Sequence, residues 1–388
     1  MKKIIFSTLF IFFSFVAFCN DMVKVRILAH LKVNSVLFSP DKGSYKVYGD
    51  GREIFSMDQK GVLKISVSGD TIEVKSVENN LGKFSSVKII GMGEDNAFRI
   101  KCVDPDRKYR YYQDDLTIFA DAASKNLKLV NVVELDKYIS GVVEAEAGSR
   151  SALEFYKVQA ILARTYALNI LTKHAAEGFD ICDQVHCQAF YGRTKEEEIL
   201  KAVYMTKGIV VVDHDMNLIT AVFHSNSGGQ TVNAVDVWGT PTPYLVSVKD
   251  SFSVAMPNYK WTRKMAVEDW LDYLKIKHNY PIEDSIAKRN ALNFAQVNRK
   301  NFIEGKGVKV PLKNIRTDLV LRSTFFSVET KGDTVLLCGK GYGHGIGMCQ
   351  EGAMKMAKLG YKYPEVIKFY YKNVSLIDKT QLSFFRED

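Results

Sequence analysis

A carboxylate, a cluster of metal-binding side chains and two glycine-rich turns that carry histidine are the parts of this sequence equipped for chemistry. Glu146 stands where a strand-like apolar run gives way to a long buried helix. Partial desolvation at such a junction raises a carboxyl pKa toward that of a general acid, which is what glycosidic cleavage needs beside the scissile oxygen. Position alone fits a plainer account better, a first-turn acid favoured by the helix dipole. Glu144 competes for the same role. In a strand the two carboxylates would share a face, as a glycosidase using a carboxylate pair requires.

Cys182, His186 and Cys187 lie close together after a helix ending near His174, and the four offer two thiolates and two imidazoles to a tetrahedral zinc ion. Four protein ligands would close the shell and make the ion structural, because catalytic zinc keeps one position for water. A Cys182–Cys187 disulfide fits the same spacing equally well. Gln159 and Arg164 interrupt an otherwise apolar helix, and a buried guanidinium needs an acidic or carbonyl partner. Glu146 is one candidate and a loop carbonyl another.

The run His224-Ser225-Asn226-Ser227-Gly228-Gly229-Gln230-Thr231 gathers hydroxyls, an amide, an imidazole and two glycines into one turn, able to grip sugar hydroxyls or to bond within itself. Adjacent Ser and His rarely reach one another correctly and the nucleophile-elbow pattern is absent, which argues against a serine hydrolase. Four glycines alternate from Gly341 to Gly347, around His344 and ahead of a helix near Gln350, so backbone amides there are open to an anion. The Lys-Ser/Thr ending of a nucleotide loop is missing, and a tight turn with His344 as a buried hydrogen-bonder reads as well.

These side chains need a frame, and the sequence predicts an α+β one. From Val23 to about Phe119, short β-rich runs such as 62–67, 72–77 and 87–90 are separated by turns at 49–51 and 68–70, which marks a β-rich accessory region over 20–125. A strand over 127–135 opens the mixed core, 126–257. A long helix capped by Ser149 or Ser151 comes next, buried around most of its circumference. Strands are expected at 208–213, 218–224, 319–321 and 334–338, a charged insertion at 258–309, and a closing helical pair within 310–388.

Lys2 and Lys3 precede an apolar run from Ile4 to Phe18, the pattern of an exported protein's leader, taken as 1–19. Cys19 as a lipid-bearing residue fits less well, because bulky Phe18 precedes it. No later stretch is apolar enough to span a bilayer, so the rest is expected to fold in the periplasm or cell-wall space. The charge of +9, about +7 without the leader's two lysines, suits an anionic polymer. A nucleic acid is disfavoured by the absence of a basic helix, zinc-finger spacing or RNA-binding strand. Beyond Cys19 five cysteines remain, so they cannot all pair within one chain.

Several segments together resemble the stage II sporulation protein D (SpoIID/LytB) family. They are 129–133 with Tyr138, Gly141-Val142-Val143 with Glu146, Lys157-Val158-Gln159-Ala160, Ala163-Arg164-Thr165-Tyr166-Ala167 and Cys187-Gln188-Ala189-Phe190-Tyr191-Gly192. The 224–231 turn, 343–353 and Tyr370-Tyr371 complete the set. The resemblance implies a peptidoglycan lytic transglycosylase in which Glu146 alone acts as acid and then base, so that Glu144 is not required. It places Gln159, Arg164, Tyr166, His224, Ser225, Ser227, Gly228, His344 and Gln350 against glycan, and favours structural zinc on His174, Cys182, His186 and Cys187. A non-enzymatic amidase enhancer acting on a cell-wall amidase is the alternative, and a zinc hydrolase a weaker third. Two positions depart from the family pattern: Ala147-Gly148 come after the acid where Met-Pro is frequent, and Cys349 replaces a common Ser.

Overall fold

Val23, Val25 and Ile27 alternate with Lys24 and Arg26, and this run forms a strand, Met22–Ile27, whose apolar side is wholly buried. It lies antiparallel to Asn126–Glu134, with Val23 opposite Val133 and Ile27 opposite Leu129. The computed structural model describes residues 21–121 and 125–384, and builds this pair into an 11-stranded sheet. The expected leader and Cys19 fall outside the described residues. On its other side Asn126–Glu134 pairs with Asp115–Asp121, and the sheet continues through the long bent strands Ser86–Asp104 and Ser35–Gly49. The strands expected near 62–67, 72–77 and 87–90 are present as Leu63–Ser68, Thr71–Lys75 and part of Ser86–Asp104.

The β-rich front is therefore not set apart from the mixed core. Asn126–Glu134 is buried on both faces and needs a partner along each edge, and the front supplies both partners. One continuous hydrophobic core runs from Val23 to Val374.

The strand leads straight into helix α1, Leu135–Ala147, with Leu135, Tyr138, Ile139, Val142 and Val143 buried at spacings of three and four. Residues 142–146 are thus helical and not extended, because their apolar residues keep the helical period once the preceding strand is discounted. Helix α2, Leu153–Asn169, is buried without a break from Phe155 to Thr165. Neither Ser149 nor Ser151 caps it. Ala152 occupies the cap, and the Tyr156 hydroxyl does the bridging, accepting from the Ser151 N–H at 2.9 Å and donating to the Gly148 carbonyl at 3.0 Å. Helix α3, Glu197–Met205, packs across both.

Between Lys260 and Lys340 the chain encloses a second, separate core around Trp261, Trp270, Leu274, Ile303, Ile315, Phe326 and Leu337. A three-stranded sheet orders Lys260–Ala266, Thr334–Lys340 and Phe326–Lys331, backed by helices Val267–His278, Ser285–Leu292 and Leu312–Asp318. The expected insertion at 258–309 is the larger part of this unit, which needs residues up to Lys340 to close its core. No strand forms at 319–321, where Leu319 ends a helix and Val320 has φ 51°. At 218–224 only Phe223–His224 is a strand, paired in parallel with Met348–Cys349. The closing helices are Gln350–Lys358 and Tyr363–Tyr370.

Candidate functional site

Glu146 is the last residue but one of α1, at the helix end where the dipole disfavours a negative charge. The first-turn account is therefore excluded. The half-buried carboxyl accepts one hydrogen bond at 3.1 Å from the Ala189 N–H. Burial raises its pKa above the ordinary carboxyl value, and the Ala189 amide opposes that only in part. Among the described residues no second carboxylate acts on it. Glu144, two residues back on a helix, projects about 200° away around the axis, so the two cannot work as a strand-borne pair.

Two neighbours hold the acid in place. The segment after Cys187 is stapled to α1: the Tyr138 hydroxyl donates to Gln188 Oε1 at 3.3 Å, and its ring packs on Phe190 with centroids 5.0 Å apart. Gly141 makes this approach possible, since a Cβ there would stand 2.2 Å from the Gly192 carbonyl oxygen. From the opposite direction Gln350, at the start of the helix Gln350–Lys358, donates from Nε2 to the Glu146 carbonyl at 3.1 Å. Exposed Tyr191, beside which the Arg110 guanidinium lies 5.4 Å from the ring centre, extends the same segment as a surface platform.

His174, Cys182, His186 and Cys187 converge as the spacing allowed, with their donor atoms all within 4.8 Å of one another. Cys182 Sγ is 3.6 Å and Cys187 Sγ 3.7 Å from His186 Nδ1, and Cys187 Sγ is 3.5 Å from His174 Nε2. A tetrahedron with Zn–S of about 2.3 Å and Zn–N of about 2.0–2.1 Å has N···S edges of roughly 3.5–3.6 Å, so the donors fit zinc. The second nitrogen of His174 is held by Glu177 at 2.5 Å, the orienting contact that ligating histidines commonly have. Both thiols are free, not paired as a disulfide. The cluster is tied to the sheet through Ile181–Cys182, parallel to Val25–Arg26.

Most of the other expected glycan contacts are framework. Arg164 is 1% exposed. Its Nε and Nη2 donate to Asp136 Oδ1 at 3.1 and 2.8 Å, and its Nη1 to the carbonyls of Thr206 and Ile209 at 2.8 and 3.1 Å. Glu146 is not among its partners. Gln159 is fully buried, with neither amide atom hydrogen-bonded. Ser227 is enclosed, donating to Asp250 and meeting the Ser253 hydroxyl at 2.8 Å each. Gly228 sits at φ +69°, against the Lys340 backbone. Ser225 accepts from the Asn258 amide at 3.1 Å. Gln159 and Arg164 are enclosed within helix α2, and the corrections at Ser225, Ser227 and Gly228 share another cause: the turn is a joint whose polar groups bond to protein. Glu351 reinforces it, accepting from the amides of Asn226 and Asn258.

His224 and His344 stack edge to face, 5.6 Å between centroids, and burial drives both pKa values down, that of His224 well down. Both rings are neutral near pH 7. His224 Nδ1 donates to the Ile346 carbonyl at 3.1 Å, and His344 Nε2 to that of Phe223 at 2.9 Å. Tyr166 is half-buried, its phenol raised by burial and by nearby Cys187. Of the expected set, Gln350 is the residue with a hydrogen bond to the acid's own backbone.

Residues 123–212 match the family model described as stage II sporulation protein. Stage II sporulation protein D of Bacillus amyloliquefaciens is 30% identical over 263 residues, covering 64% of this chain and 75% of that protein. The chain belongs to the stage II sporulation protein D family. The Bacillus subtilis stage II sporulation protein D is 29% identical over the same coverage. A Bacillus subtilis amidase enhancer is 29% identical over 290 residues, 61% of this chain and 40% of that protein. The family match spans α1, α2 and the zinc-type cluster, the elements that here carry Glu146 and its Ala189 contact. What sequence reasoning missed is Asp136, Asp250 and Asn258, which act through long-range contacts, and the role of Ala189, which the sequence shows only as part of a motif. Glu351 lay inside a recognised motif, so a signal for it existed.

Proposed function

We propose that this member of the stage II sporulation protein D family is a peptidoglycan lytic transglycosylase with Glu146 as its only acid and base. One observation carries the reading: Glu146 is a carboxyl held protonated to higher pH by burial at a helix C-terminus, steadied from two sides and, among the described residues, without a second carboxylate acting on it. A protonated Glu146 gives its proton to the oxygen between N-acetylmuramic acid C1 and N-acetylglucosamine as that bond breaks. The carboxylate then takes the proton of the muramic C6 hydroxyl, whose oxygen closes onto C1. The products are a 1,6-anhydro-muramic end and a free N-acetylglucosamine hydroxyl, and no water is consumed.

Zinc bound by His174, Cys182, His186 and Cys187 would supply structure, fixing the segment that presents the Ala189 N–H; all four ligands come from protein, which leaves no position for a reacting water. The proposal includes export to the periplasm or wall space. Among the described residues no helix is long and apolar enough to cross a membrane.

The test is mass spectrometry of purified glycan strands treated with the mature protein or with Glu146→Gln. Anhydro-muramic ends are expected from the first and not the second, and their absence from wild type would sink the reading. The amidase-enhancer relative favours a second reading, a glycan-binding partner of a wall amidase. It predicts that Glu146→Gln still binds glycan and still stimulates the amidase.

A further inference from the structure

Where the second core meets the main one, a cavity of about 310 Å³ opens between the 230–237 segment and residues 299–324. Its volume is at the small end for organic ligands and suits one sugar or a short peptide. Half-buried Arg299 is part of its lining. The guanidinium donates through Nε to the Gln230 carbonyl at 2.7 Å, through Nη2 to the Ser227 carbonyl at 2.6 Å and through Nη1 to the Thr324 hydroxyl at 3.3 Å. It also lies 4.7 Å from the centre of the Phe325 ring.

None of these partners is a carboxylate, so the charge is partly taken from water without an acid group beside it to offset the loss. Desolvation accordingly pushes the Arg299 pKa down to about 9. Three of the five N–H groups of an arginine are used, which leaves one on each terminal nitrogen, the number for a bidentate grip on a carboxylate. Arg164 makes the contrast plain, because it is more enclosed, at 1% exposure, but has Asp136.

The remaining walls agree with an anionic ligand. Exposed Lys300 and Lys313 flank the opening. Asp236, the one acid among the described residues lining it, is occupied by the amides of Asn233 and Asn301 at 3.0 and 2.8 Å. Arg299 also bears on the glycine-rich turn, standing 3.3 Å from where a Cβ on Gly345 would be. That turn runs on to Gln350 and so to the Glu146 carbonyl.

We propose that this cavity is a carboxylate-binding subsite, in which Arg299 holds an acid group borne by an acetamido sugar or an acylated peptide, and Lys300 and Lys313 draw it in. The identity of the polymer rests on the wall-glycan reading; the carboxylate chemistry does not. Isothermal titration of the mature protein with N-acetylmuramic acid, N-acetylglucosamine and N-acetyl-D-alanyl-D-alanine tests it. One or both acids should bind while neutral N-acetylglucosamine does not, and which acid binds tells sugar from peptide as the source. Arg299→Gln should weaken that binding at least tenfold and Lys313→Glu about threefold. Lys313 is exposed, so its reversal keeps the test valid if the Arg299 variant fails to fold. Failure of both acids to bind, or binding indifferent to the folded variants, overturns the proposal. Neither result depends on whether anhydro ends are formed.

Discussion

Replacing Arg164 with methionine separates a structural role from a substrate contact. The side chain is 1% exposed and makes two charge-assisted bonds to Asp136 and one bond each to the carbonyls of Thr206 and Ile209. Methionine fills much of the volume but takes the guanidinium from the Ile209 carbonyl and the carboxylate, and leaves the Thr206 carbonyl with only the Ile209 N–H at 3.1 Å. Breaking a buried ion pair on one side costs about 3–5 kcal/mol, and the one-fifth exposure of the Asp136 side chain lets water recover part of that. A loss of about 3–4 kcal/mol corresponds to a fall in melting temperature on the order of 5–10 °C for a unit this large. Arg164→Lys should lose about half as much, because one ammonium cannot reach Asp136 and the carbonyls together. Scanning calorimetry is the assay. Tryptophan emission would mislead, since two of the three tryptophans, Trp261 and Trp270, report the second core, the third, Trp238, is 45% exposed, and Arg164 belongs to the first core. A methionine variant that melts within about 2 °C of the parent yet binds glycan poorly would refute the clamp and return the guanidinium to the substrate.

Glu146→Gln should be more stable than the parent at neutral pH. The folded pKa of Glu146 lies above the unfolded one, so the unfolded chain releases its proton first and wild type loses ground as pH rises through that interval. The gap should be full above the folded pKa and vanish below about pH 4, where both states are protonated; equal melting at every pH would rule out a raised pKa. For the metal cluster, mass spectrometry under native conditions should find one zinc per chain, lost in Cys182→Ser or Cys187→Ser. Chelation should lower the melting temperature by the equivalent of about 2.7 kcal/mol if the ion stands at a hundred times its dissociation constant. A metal-free protein whose two thiols resist alkylation would point to the disulfide instead.

Local pattern carries a good part of this structure. The period-two runs before residue 119 and the buried stretch 155–165 announce their elements, and the two-Cys, two-His spacing announces the cluster. Residues 142–146 mislead because a strand ends one residue before the helix begins, and both are apolar. The role of Arg164 is illegible for a different reason: its partners lie 28 to 45 positions away in sequence. The turn at 224–231 reads as a sugar grip because polar, glycine-rich turns usually face water. This one is covered by the 250–258 segment and Glu351, a contact no local pattern encodes.

The hydrogen bond from Gln350 to the Glu146 carbonyl spans 204 positions. A chain that emerges from its N-terminus can form all but one strand of the main sheet once residue 134 is available, and the last, Ile181–Cys182, arrives with the metal cluster soon after. The acid, though, meets its second support only when the last tenth of the chain arrives. The placement of the acid is thereby deferred to the end of folding: fragments that stop short of residue 350 carry the glutamate but not its final support.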